Sequence, residues 1–202
     1  MLAKILDILV PFGPFLRETE GKKFLSNWQQ LVLQVIPLTF FISWICSFIP
    51  FGGLLYFFIG IPLAARLHPK TATFKSHDIL LWYFVVIATG VGSLRGFIGH
   101  FFLSDFVAEQ IGWQTGSPFQ IELAFMQLGV ALASFGAIWK RQNLTEGVAV
   151  LMSVFLLGAA FVHLNDVFVN HNFSPFNVGS VLAGDLIMPI IFFYLLYQKA
   201  VK

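Results

Sequence analysis

The chain has 202 residues, of which 57% are hydrophobic and 11% charged, with a formal net charge of +2 and a mean hydropathy of +0.81. Soluble domains carry roughly a quarter charged residues, so this composition leaves too little polar surface to face water on every side. The basic residues are not massed into a patch, which gives no footing for nucleic acid and points to the lipid bilayer as the main partner.

Residues 1–10 place Leu2, Ile5, Leu6 and Leu9 on one helical face, with Lys4 and Asp7 elsewhere. Such a stretch is too short to span, so it reads as an interfacial helix or a cytoplasmic tail, ended by Pro11 and Pro14. Residues 1–28 then form an amphipathic, cytoplasmic N-terminal segment, and residues 29–202 a single transmembrane bundle. The N-terminus lacks the basic start, apolar centre and small-residue cleavage site of a signal peptide, so the first span is expected to act as its own insertion signal.

That first span is expected over residues 30–48, with Pro37 as a kink and Cys46 as a small buried hydrophobe. A short second span, 54–67, contains Pro62 and suits a tilted or re-entrant helix. A polar linker leads to a third span over 79–103 and, after a Gly-containing loop, a fourth over 119–139. The fifth covers 147–167 and the sixth 179–197.

With the N-terminus inside, eleven of the twelve Lys and Arg residues fall in inner segments, and the outer loops hold none. This positive-inside pattern predicts an all-α polytopic bundle of about six spans with both termini cytoplasmic. Trp28, Trp82, Trp139, Tyr83, Tyr194 and Tyr197 fall at the inner ends, where an aromatic belt is expected.

The twelfth basic residue, Arg95, lies within the third span. A charge at that depth costs roughly 2.5–3.5 kcal/mol on insertion scales unless paired or hydrated. Alternating topology brings Arg95, His100, Glu122, His163, Asp166 and Asp185 to one depth from four spans, with Asp105 in the adjoining loop. His163, Asp166 and Asn170 follow helical spacing and share one face. Gly92, Gly96 and Gly99 form a smooth stripe suited to close helix packing.

Three functions fit this constellation. Arg95 anchors a small ligand, ion or proton site balanced by Glu122 and Asp185, with His100, His163 and Asp166 as its proton-active members. Alternatively, His163 and Asp166 serve a redox or metal-dependent membrane enzyme. In the third reading the cluster is only an interhelical ion-pair lock of a structural subunit. His100, Glu122, His163 and Asp166 are of types that bind Zn, Mn or Fe, but no compact ligand signature joins them, so no metal or other cofactor is assigned. A homo-oligomer is left open.

The loop around Ile111-Gly112-Trp113 and Gly116-Ser117-Pro118 reads as a lid over the cluster or as a helix-entry turn, with Ser117 as cap. The turn from His171 to Gly179 has the same character, and Asn172-Phe173-Ser174 is a glycosylation acceptor only in a eukaryotic secretory membrane. The runs Arg95-Gly-Phe-Ile-Gly-His100, Asp105, Ile111-Gly-Trp, Gly116-Ser-Pro-Phe-Gln and Glu122, followed by His171-Asn172, Pro175, Asn177-Val-Gly179, Asp185 and Pro189, resemble a bacterial family of uncharacterised membrane proteins. More distantly they resemble the DoxX-like group of small four-helix membrane proteins. The resemblance implies an inner-membrane location, and for the DoxX-like group a respiratory or redox link, and it singles out the same polar residues.

Overall fold

A computed structural model describes residues 61–62, 76–138 and 141–201, all within one compact unit, residues 38–202. The N-terminal segment and first span, and the second span apart from helical residues 61 and 62, lie outside the described residues. All regular structure among the described residues is helical. Helix α1 (Ser76–Tyr83), a π-helical segment (Phe84–Thr89) and α2 (Gly90–Phe102) run on as one rod. Short α3 (Ser104–Ile111) follows, then α4 (Phe119–Gly136), the long α5 (Arg141–Asn170), one-turn α6 (Pro175–Val178) and α7 (Ser180–Ala200).

Four helices are long and apolar enough to cross a bilayer: Ser76–Phe102, Phe119–Gly136, Leu144–Asn170 and Pro175–Ala200. The shortest, with 18 residues, reaches about 27 Å at 1.5 Å per residue, close to the hydrocarbon thickness. They correspond to the third to sixth expected spans. The chain reads as a membrane protein.

Two antiparallel pairings build the bundle. Along α2 and α4 the partners run in opposite order: Gly90 meets Ser134 and Phe135, Gly96 meets Gln127, and His100 meets Gln120. A Cβ on Gly90 would stand 2.7 Å from the Phe135 ring, so this crossing needs a residue without a side chain. Apolar burial gives no driving force between helices in lipid, and such close approach replaces it. A Cβ on Gly92 would meet nothing within 4 Å, so the packing stripe is Gly90 and Gly96 rather than the expected set.

Helices α5 and α7 pair in the same manner. Lys199 bridges to Glu146 at one end, while His163 faces Asp185 towards the other. Lys199 also lies 3.7 Å from Asp78, which ties α1 to this pair. Pro189 is fully buried within the continuous helix α7, where its missing N–H removes one helical hydrogen bond.

Of the belt residues, Trp28 and Trp139 lie outside the described residues, and the others divide. Tyr194 and Tyr197 are exposed, as a lipid-facing belt requires. Trp82 and Tyr83 are buried, and the Trp82 indole N–H donates to the Ala137 carbonyl at 2.8 Å. Trp82 therefore caps the loose end of α4, where carbonyls have no helical partner. Elsewhere the outer faces are apolar: Phe161, Phe168, Leu132 and Ile190 are exposed, an arrangement that suits hydrocarbon.

Candidate functional site

The end of the bundle opposite Lys199 is closed by α3, the 112–118 loop and the 171–179 turn. Backbone geometry fixes both loops. Gly112 takes φ 84°, ends α3, and lies so close to Asn172 that a Cβ would come within 2.6 Å of its side-chain oxygen. Gly116 takes φ 75° and donates its N–H to the Asp105 carboxylate at 3.0 Å. His171 adopts φ 53°, reversing the chain so that Asn172 turns back towards α5. Helix α4 begins with Pro118 in the cap position and no side-chain cap bond, so Ser117 does not cap it as expected.

Asp166 is the hub of this closure. Its carboxylate accepts the indole N–H of Trp113 at 3.1 Å and the amide N–H groups of Asn170 and Asn172 at 2.6 and 2.5 Å. Asn172 donates as well to the Ile111 carbonyl at 2.8 Å. Three neutral donors from α5, the α3–α4 loop and the α5–α6 turn thus converge on one buried carboxyl. Charge-assisted bonds of this kind are stronger than neutral ones. The arrangement is a fastening.

His163, one turn earlier on α5, is differently placed. Its ring stacks on Trp113 with centroids 5.8 Å apart. Nδ1 lies 2.7 Å from the side-chain oxygen of Asn177, which is completely buried. The Asn177 amide nitrogen donates to the carbonyls of Asn172 at 2.8 Å and His163 at 3.4 Å, which fixes the side-chain oxygen as the acceptor. Nδ1 must then carry the proton, and Nε2 is the ring edge left for other work. Nε2 stands 3.9 Å from Asp185 Oδ2.

Asp185 is 7% exposed, and its Oδ2 has no hydrogen-bond partner among the described residues. A buried carboxyl oxygen without a donor is uncommon, because leaving a buried acceptor unmatched costs about 1–3 kcal/mol. This pair lies on a cavity of about 590 Å³, lined also by His100, Trp113, Gln127 and mostly apolar side chains of α3, α4, α5 and α7. His100 is likewise pinned, with Nδ1 donating to Gln120 Oε1 at 2.5 Å. Val154, Val162, Phe119 and Val181 on the cavity wall are exposed, so the cavity opens sideways onto the apolar surface.

The expected site residues therefore separate. His100, His163 and Asp185 line the cavity, with Asp166 and Asn170 in the adjoining fastening. Arg95 and Glu122 are exposed, and neither lines the cavity. Asp105 is exposed and clasps the loop at Gly116. The four metal-ligand candidates His100, Glu122, His163 and Asp166 do not gather: among the described residues no group of three or more His, Cys, Asp and Glu is placed to hold a metal ion. Asn172, Asn177, Trp113 and Gln120 were legible as turn residues and as members of the runs that carry the resemblance, but not as site residues, although each makes a hydrogen bond at the site.

The match to known sequences covers most of this bundle, residues 38–202. The chain belongs to DUF6790, a family of unknown function. The family region takes in every cavity-lining residue and both closing loops. No curated protein and no solved structure matches the chain.

Proposed function

We propose that this protein is a multi-pass inner-membrane protein of a bacterium that holds a small ligand in the cavity beside α5 and α7, with His163 and Asp185 as its polar contacts. One observation carries the reading: Asp185 Oδ2 is buried beside an apolar cavity with no hydrogen-bond donor of its own among the described residues. A carboxyl kept for packing acquires donors, as Asp166 has. One kept for a ligand is left open until the ligand arrives. Unmatched polar groups inside membrane segments mark functional sites for the same reason.

The distribution of Lys and Arg supports an orientation with six spans, both termini cytoplasmic, and the cavity towards the outer leaflet. In that orientation the Lys199 end faces the cytoplasm.

A second reading keeps the same pair as acid–base groups of a membrane enzyme. It is favoured by the 3.9 Å approach of a ring nitrogen to a carboxyl oxygen, which suits proton exchange with a bound substrate. Here Asp185, rather than the fastened Asp166, is the partner of His163.

The test is organic extraction of the purified protein followed by mass analysis of the extract. Wild-type protein should release a compound in near-stoichiometric amount that is missing from His163→Ala prepared identically. Extracts that match in both preparations contradict the binding reading.

A further inference from the structure

Asn177 settles more than the position of His163. Because its amide nitrogen is committed to two carbonyls, its oxygen holds the His163 proton on Nδ1. In the neutral ring the lone pair then lies at Nε2. Asp185 offers another acceptor at Oδ2, 3.9 Å away. The cavity thus presents two acceptors side by side, and they need donors.

The spacing selects the head group. A nitrogen about 2.9 Å from each acceptor spans the 3.9 Å gap with both N–H bonds close to linear. A primary ammonium has donors for both at once. A hydroxyl has one proton and reaches only one acceptor, and a tertiary ammonium has the same limit. A carboxylate or phosphate would set acceptors against acceptors, and no Lys or Arg is present among the described lining residues to balance it. The rest of the wall is apolar, including Leu123, Phe155, Ala159 and Val162, and suits a hydrocarbon body that enters from the bilayer.

We propose that the head group held between His163 and Asp185 is a primary ammonium carried on an apolar body, a free lipid-phase amine, which rests on the cavity being a binding site. A phospholipid amine is the poorer match, since its phosphodiester would meet no cation among the described lining residues.

Trp113 stacks on His163 and reports the site by its fluorescence. The full chain in phosphatidylcholine nanodiscs is titrated with dodecylamine, N,N-dimethyldodecylamine, dodecanol and dodecanoate, with Trp113→Phe defining the background signal. Dodecylamine should bind saturably and at least tenfold more tightly than the other three. Asp185→Leu and Asp185→Asn should each weaken it at least tenfold. Adding phosphatidylethanolamine to the nanodiscs should leave the affinity unchanged; competition by it overturns the assignment to a free amine. Dodecanoate or dodecanol binding as tightly as dodecylamine, with loss in Asp185→Leu, overturns the ammonium while the binding site stands. Saturable binding of dodecylamine that both Asp185 variants retain overturns the assignment of its head group to this pair. If none of the four binds saturably to the wild type, the ammonium assignment and the binding site fall together.

Discussion

Asn177 accepts the Nδ1 proton of His163 at 2.7 Å, and this contact from α6 to α5 decides which ring nitrogen turns towards Asp185. The two residues belong to different segments, and only the reversal at His171 brings them together. Asn177 is completely buried, with its donors spent on backbone carbonyls. The orientation of the ring is therefore a property of the closed turn. A change in the turn should be felt at His163.

Asn177→Leu removes the acceptor of Nδ1 and the donor to Asn172 O together. We expect a loss of about 1–3 kcal/mol, the scale for stranding buried polar partners. Thermal unfolding in detergent should show the lower midpoint. Ligand retention should fall as well, because the ring is no longer held in one tautomer.

Asp166 and Asp185 should respond in opposite ways to loss of charge. Asp166→Ala strands donors from Trp113, Asn170 and Asn172, so it should cost about 3 kcal/mol or more and shift Trp113 emission as the indole loosens. Asp185→Leu removes a buried oxygen that has no donor among the described residues, so thermal stability should be unchanged or higher. Paired melting curves of the two variants check this directly. A large loss of stability in Asp185→Leu would mean that Asp185 is a lock.

Gly112→Ala should destabilise by more than about 1 kcal/mol, since φ 84° is strained for any residue with a Cβ. The added carbon would also stand 2.5 Å from Ser174 Oγ and 2.6 Å from Asn172 Oδ1, so Asn172 must leave Asp166. Gly116→Ala has open space around its Cβ and should show only the backbone cost. The difference between the two melting points measures the Asn172 contact.

Lys199→Ala at the far end should cost less, about 0–1 kcal/mol. Its ion pairs with Glu146 and Asp78 involve partly exposed side chains, and such pairs contribute little. Neither Trp113 emission nor ligand retention should change. A measurable effect on either would couple the two ends of the bundle.

Hydropathy made the four long described helices legible, because a span needs a continuous apolar run and little else. The π-helical segment at Phe84–Thr89 was not, since its six buried residues read as ordinary helix. Periodicity also placed His163 and Asp166 on one face, and alternating topology brought Asp185 to the same end of the bundle. Arg95 and Glu122 do not line the cavity. Depth along a span says nothing of which way a side chain faces, and both are exposed. Asn177 and Asn172 escaped because turn residues are polar whether or not they reach inwards. The available signals were a polar residue inside a turn rich in His, Asn and Pro, and the place of both residues in the runs that carry the resemblance.

The most direct test is native mass spectrometry of the gently released protein, with Asp185→Leu and Asp166→Asn measured alongside. The wild type should carry a small retained mass, and Asp185→Leu should lose it while remaining folded. Asp166→Asn should keep it in whatever fraction stays folded. A bare polypeptide mass in all three preparations, or a mass that Asp185→Leu retains, would contradict a working site at His163 and Asp185.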